Sequence, residues 1–299
     1  MNQVYQDYLS SSVIRKIDNI SLRAKLVVEG FIIGLHQSPY HGFSVEFSEH
    51  RPYGFGDEIK HIDWKLLAKT DKLYIKQFEE ETNLKSYILF DKSASMGYSS
   101  KDNINKFEYA KTLSASLSYL MIRQQDAVGL TTFDDKINTS IIPRSKTSHL
   151  NVLLNSLHKS KIGGETQISP ILHSLAESIK KRGLIILISD LLDNPKEVIK
   201  GLRHFRYKGH EVIIFHILDY NEIFFNFNEM INFIDSESNQ SIKTDPRHIK
   251  SDYKKAFSEF CEIYRSECRK NNIDYVRVNT SDSLDKSLIE YLMKRSQLI

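Results

Sequence analysis

Asp91-Lys92-Ser93-Ala94-Ser95 sets one carboxylate and two hydroxyls at alternating positions, a D-x-S-x-S run of hard oxygen donors. Such donors suit Mg²⁺, with Mn²⁺ and Ca²⁺ as alternatives, rather than thiolate-seeking ions. A second carboxylate, Asp190, follows Leu184-Ile185-Ile186-Leu187-Ile188-Ser189, and Thr166 lies between the two in Gly163-Gly164-Glu165-Thr166. If Ser93, Ser95 and Thr166 bind an ion directly and Asp91 and Asp190 act mainly through water, the ion keeps much of its charge and an open position. It could then accept an Asp or Glu carboxylate from a partner protein. The competing reading is structural: the serines cap the next helix and the aspartates make strand-end turns.

The elements that must position these residues are legible in the hydrophobic spacing. Tyr87-Ile88-Leu89-Phe90 is an apolar run that stops at Asp91, and Leu184 to Ile188 is another that stops at Ser189-Asp190. Val212 to Leu218 is a third, and Tyr275 to Val278 reads as a last strand. Runs apolar on both faces are what a parallel sheet covered by helices requires. Between them, Ile104, Phe107, Ala110, Leu113, Leu117, Leu120 and Met121 recur at helical spacing. Helices are also expected around residues 150–157, 168–179, 198–205, 246–264 and 284–295. Val128 to Phe133 and Ile137 to Ile142 read as two strands joined by a tight Asp134-Asp135 turn. The alternation predicts an α/β fold with a doubly wound, mostly parallel sheet. Asp91 and Asp190 then fall at carboxyl strand ends, where open α/β sheets bind ligands.

Residues 223–245, rich in Phe, Asn and Ser, break the rhythm and suggest a β-excursion within an α/β domain of residues 82–299. Residues 1–81 form an N-terminal extension, with a helix over 13–35 and a turn-rich stretch from Ser38 to Lys76. No Gly/Ser/Pro linker stands near residue 80, which favours packing on the core over tethering. Ile62, Trp64, Leu66 and Leu67 are too few for an independent core.

The 299 residues are 40% hydrophobic and 26% charged with 12 Gly and 6 Pro, a globular composition able to bury its own core. Lys and Arg total 41 against 38 Asp and Glu, a net charge of +3, so nucleic acid is not an expected partner. Cys261 and Cys268 lie seven residues apart in a predicted helix, about 10 Å and beyond disulfide reach. Two unpaired thiols, an N-terminal stretch without signal-peptide character and no apolar run long enough to span a membrane predict a cytoplasmic protein.

Asp91-x-Ser93-x-Ser95-Met96, Thr166 and Ser189-Asp190 resemble, in order, the metal-ion-dependent adhesion site (MIDAS) of von Willebrand factor type A domains. Gly42-Phe43-Ser44-Val45-Glu46-Phe47, Arg51-Pro52-Tyr53, Gly56-Asp57, Ile62-Asp63-Trp64 and Phe78-Glu79-x-Glu81 are similar to a more specific group. That group is the bacterial family of uncharacterised type A-like proteins encoded beside MoxR-type AAA+ ATPases. Lys60 and Lys69 depart from it, standing where arginine is usual, and lysine lacks the bidentate fork. The resemblance runs from about residue 30 to the end. It implies one metal ion, a partner carboxylate, and an adaptor or substrate-presenting role for a MoxR-type ATPase in protein assembly or stress response.

Two other functions compete. An apolar strand ending in Asp91 also suits an Mg²⁺-dependent phosphohydrolase with an aspartate nucleophile, but Ser93 stands where such an enzyme needs its general acid. No enzymatic activity is therefore expected. A metal-free scaffold would leave Ser93, Ser95 and Thr166 without a shared task. Trp64, with Asp57 and Asp63 beside it, reads as an anchor and turn formers. His36, His41, His50 and His61 lack metal spacing, and Gly54-Phe55-Gly56 is no phosphate-binding loop.

Overall fold

In the computed structural model the described residues are 19–36, 50–52, 54, 74–76, 85–100, 103–164, 167–227, 229–234, 240–285, 287–289 and 291. The strands are β1 (His50–Pro52), β2 (Tyr74–Lys76), β3 (Lys85–Asp91), β4 (Ala127–Phe133), β5 (Ile137–Arg144), β6 (Leu184–Ser189), β7 (Glu211–Leu218), β8 (Ile231–Ile234), β9 (Ser241–Thr244) and β10 (Asp274–Asn279). The helices are α1 (Ile20–His36), α2 (Lys106–Arg123), α3 (Thr147–Lys159), α4 (Ile168–Ser178), α5 (Pro195–Tyr207), α6 (Tyr220–Phe224) and α7 (Pro246–Lys270).

Six strands form one sheet in the order β10-β7-β6-β3-β4-β5. All neighbours are parallel except β4 and β5, which run antiparallel from the Asp134-Asp135 turn. This is the doubly wound, mostly parallel α/β arrangement the sequence predicts. The buried strands alternate sides: Ile88, Phe90, Ile186, Ile188, Ile213 and Phe215 join the core under α1, α2 and α3. Leu89, Ile185, Leu187, Val212 and Ile214 join the other, under α4, α5 and α7. Side chains of period two thus serve two helical layers, which is why these runs are apolar throughout.

The register sets Phe90 beside Ile188 and Asp91 beside Phe133. From β3 the chain crosses to β4 on one side; from β6 it crosses to β7 on the other. The carboxyl ends of β3 and β6 therefore flank the sheet's topological switch point.

α1 starts at Asn19, whose Oδ1 accepts the Ser21 and Leu22 amides at 2.9 and 3.1 Å. Ile20, Ala24, Val27 and Val28 are buried in the α2-side core, and Arg23 Nη1 donates to Glu108 Oε2 at 3.2 Å and Thr112 Oγ1 at 3.1 Å. β1 and β2 pair antiparallel. Trp64, Asp57, Asp63, His41, His61, residues 13–18 and most of the motifs before residue 82 lie outside the described residues.

Within residues 223–245, β8 and β9 pair as an antiparallel hairpin. The start of the span differs: residues 220–224, which include Phe224, are helical. Asp219 caps α6 by accepting the Asn221 amide at 2.8 Å, while Glu222 Oε2 accepts the Asp219 amide at 2.7 Å. This reciprocal capping box starts a helix where composition alone suggests a strand.

Candidate metal centre

Asp91 and Asp190 leave adjacent parallel strands at the same sheet edge, and both are fully buried. Asp91 Oδ1 accepts the Ser93 amide at 2.9 Å, and Asp91 Oδ2 accepts the Ser189 hydroxyl at 2.6 Å. Ser189 Oγ accepts in turn from the Leu191 amide at 2.9 Å. Leu191, itself buried, holds a left-handed φ of 56° that is unfavourable for a branched side chain. That backbone strain lies directly after Asp190, in the crevice.

Ser93 stands at the N-cap of the next turn, but its hydroxyl caps nothing there. The one turn of 3₁₀ helix at Ala94–Gly97 receives no side-chain bond from Ser93, and α2 is capped by Asn105, whose Oδ1 accepts the Glu108 amide at 2.7 Å. Instead the two serine hydroxyls face each other at 3.1 Å, both buried. The turn-forming reading of the aspartates does hold in part: Asp190 Oδ1 accepts the Leu192 amide at 3.3 Å much as Asp91 accepts that of Ser93.

Thr166 lies outside the described residues, but the loop leading to it is fastened to the crevice. Ala94 N donates to Gly164 O at 3.0 Å, and Gly163 N donates to Lys92 O at 2.7 Å. Gly163 packs on the Lys92–Asp134 ion pair, whose N···O distance is 2.8 Å, leaving no room there for a β-carbon. Asp91, Ser93, Ser95 and Asp190 are thus brought together.

Sequence reasoning missed three polar neighbours. Lys106, the first residue of α2, is fully buried, and its Nζ donates to Asp190 Oδ2 at 2.8 Å and Glu222 Oε1 at 2.7 Å. Its ammonium stands 5.9 Å from the centre of the Tyr98 ring. Burial pulls this ammonium toward deprotonation, but the two carboxylates outweigh it and keep the charge. His216, buried on β7, has Nε2 2.9 Å from Asp190 O and Nδ1 2.6 Å from Tyr275 Oη. Burial drives the imidazole down to about 3, so it is neutral at pH 7. The sequence signals are a lysine at a helix N-terminus, against the macrodipole, for Lys106 and a histidine inside an apolar strand for His216.

Asp91 is pushed up to about 7 by burial first and then by the negative charge of Asp190, against the opposing bonds from Ser189 and Ser93. Two buried carboxylates with one lysine between Asp190 and Glu222 leave Asp91 uncompensated. A cation against Asp91 and Asp190 would relieve that repulsion, and the donors there are hard oxygens. Carboxylates and imidazoles alone do not make such a centre: among the described residues no three His, Cys, Asp or Glu side chains are placed to hold a metal. The serine hydroxyls are needed to complete a donor set.

Residues 49–260 match the family described as "Protein of unknown function DUF58". The chain belongs to the DUF58 family. The DUF58 region contains Asp91, Ser93, Ser95, Lys106, Asp190 and Glu222. It is 23% identical over 207 residues to the uncharacterized protein Rv1480 of Mycobacterium tuberculosis, covering 68% of this chain and 64% of that protein. The chain therefore matches just under two thirds of that relative's length. Among solved structures it is similar to BatB, a conserved hypothetical protein from Bacteroides thetaiotaomicron, with a TM-score of 0.48 and 18% identity over 72% of this chain and 100% of that one. It is similar also to the SpRpn10 VWA domain, with a TM-score of 0.37 and 15% identity over 69% of this chain and 93% of that one. No helix among the described residues is long and apolar enough to cross a membrane.

Proposed function

We propose that this DUF58 protein is a protein-interaction module of the von Willebrand factor A type, working through a divalent cation at the β3–β6 crevice. The observation that carries the reading is the pair Asp91 and Asp190 on neighbouring strand ends, with the Ser93 and Ser95 hydroxyls 3.1 Å apart beside them. Asp91, Ser93, Ser95, Thr166 and Asp190 would hold Mg²⁺, or Mn²⁺ or Ca²⁺ in its place. The ion supplies a positive charge able to attract an Asp or Glu of a partner. Mg²⁺ keeps several waters and binds through few protein groups, so affinity for the ion alone is modest. A partner carboxylate adds charge-assisted stabilisation in a crevice where both aspartates are shielded from water.

The protein's own residues do the positioning. Ser189 and the Ser93 amide fix the two oxygens of Asp91, and His216 holds the Asp190 backbone from below. No side chain is placed as a general acid two residues after Asp91, where Ser93 stands, so we assign no phosphohydrolase activity. The partner suggested by the family resemblance is a MoxR-type AAA+ ATPase, with this chain as its adaptor or substrate-presenting subunit.

Lys106 favours a second, metal-free reading, because its ammonium already offsets the charge of Asp190. One experiment separates the two: binding of a purified MoxR-type ATPase from the same genome, with Mg²⁺ and with EDTA, to the wild type and Asp91→Asn. The metal reading expects capture by the wild type in Mg²⁺ alone. Equal capture in EDTA contradicts it and favours the metal-free scaffold.

A further inference from the structure

A buried lysine beside a candidate metal ligand needs a reason. Lys106 Nζ is fully shielded from solvent and divides its bonds almost evenly, 2.8 Å to Asp190 Oδ2 and 2.7 Å to Glu222 Oε1. An ammonium that served only to neutralise Asp190 would need one carboxylate. The second is supplied by α6, and its own geometry is fixed: Glu222 Oε2 is held by the Asp219 amide at 2.7 Å and its backbone carbonyl accepts the Tyr253 hydroxyl at 2.9 Å. Asp219 is buried and anchored by the Ser100 amide and hydroxyl, each at 3.0 Å. Glu222 therefore stands ready at a set distance whatever happens at Asp190.

The charges facing Lys106 are those of Asp190 and Glu222, with the Tyr98 ring on one side. An ammonium and a divalent cation compete for the same Asp190 oxygens and repel each other at this range. We infer that Lys106 is a built-in competitor of the cation for Asp190, and that Glu222 is the carboxylate on which its ammonium rests when a cation takes Asp190. The inference rests on the metal reading above and adds its regulation. Intrinsic affinity is lowered by the lysine without being abolished, and a partner carboxylate adds to it.

The competition predicts effects of opposite sign for the two ends of the ion pair. Lys106→Met removes the competitor, and Mg²⁺ affinity measured by calorimetric titration should rise by about tenfold or more. Glu222→Gln removes the resting place and leaves the ammonium wholly on Asp190, so affinity should fall several-fold. Lys106→Met also leaves the buried Asp190 and the partly buried Glu222 uncompensated and should melt lower without Mg²⁺. Saturating Mg²⁺ should raise its melting temperature more than that of the wild type. If Lys106→Met does not fold, Glu222→Gln still decides the matter: affinity equal to or tighter than the wild type overturns the inference. Lys106→Met binding no tighter than the wild type also overturns it, while Mg²⁺ binding by the wild type and none by Asp91→Asn would leave the metal reading standing. Absence of Mg²⁺ binding in the wild type and in both variants overturns the inference and the metal reading together.

Discussion

Ser93 contributes two different groups to the crevice, and substitution separates them. Its amide bonds Asp91 Oδ1 at 2.9 Å, while its hydroxyl faces Ser95 Oγ at 3.1 Å. Ser93→Ala keeps the amide and loses the hydroxyl, so its unfolding free energy in urea should lie within about 1 kcal/mol of wild type while cation affinity drops. Asp91→Asn keeps an oxygen for the Ser93 amide and removes a buried negative charge beside Asp190. In EDTA it should be at least as stable as the wild type by urea denaturation; a loss of several kcal/mol would mean that Asp91 serves the fold rather than a cation. Asp91 and Asp190 were readable because each closes an apolar run, a signal local in sequence. Lys106 and Glu222 were not, since the partners meet across 84 residues from Asp190 to Lys106 and 116 from Lys106 to Glu222. Spacing along the chain carries no trace of that meeting.

His210 adds a pH dependence away from the crevice. It is buried next to Tyr87 and Phe205, and burial first of all lowers its pKa below the ordinary 6.5. The unfolded chain takes up a proton near pH 6.5 that the folded one resists. Stability from this group is therefore present above that pH and lost as pH falls below it. Denaturation of His210→Gln between pH 7.5 and 5 should show a shallower loss than the wild type. An unchanged slope would show that His210 is not among the groups responsible.

At the scale of elements, long periodic segments were legible and a five-residue helix was not. α2, α4 and α5 follow from apolar spacing of 3.6, and β3, β6 and β7 from apolar runs, while β4 and β10 follow from shorter β-branched and aromatic stretches. α6 has no apolar face to announce it; it exists because Asp219-Tyr220-Asn221-Glu222 forms a capping box, a pattern overlooked among the phenylalanines. The same Asp219 accepts the Ser100 amide and hydroxyl, each at 3.0 Å, linking α6 to the loop before α2. Asp219→Ala strands these buried donors and should cost about 2–4 kcal/mol in urea denaturation. A cost under 1 kcal/mol would show that the link is dispensable.

Over the whole molecule, one sheet with two helical layers sets the crevice at the point where chain connections diverge. β3 feeds β4 on one side and β6 feeds β7 on the other, so both strand-end aspartates share an edge without any local sequence signal linking them. α1 adds Ile20, Ala24, Val27 and Val28 to the core beneath α2. A fragment of residues 1–81 holds only the α1 half of that contact. It should melt without a cooperative transition by circular dichroism, because its apolar surface cannot offset the chain entropy of folding. A sharp transition would establish it as an independent domain.

The most direct measurement titrates Mn²⁺ into the full chain and follows the free-ion electron paramagnetic resonance signal, for the wild type and Asp91→Asn. The wild type should remove one Mn²⁺ per chain from solution, excess Mg²⁺ should return it, and Asp91→Asn, with an unaltered circular dichroism spectrum, should remove none. Failure of the wild type to deplete Mn²⁺, or equal depletion by Asp91→Asn, would contradict a metal centre at the β3–β6 crevice.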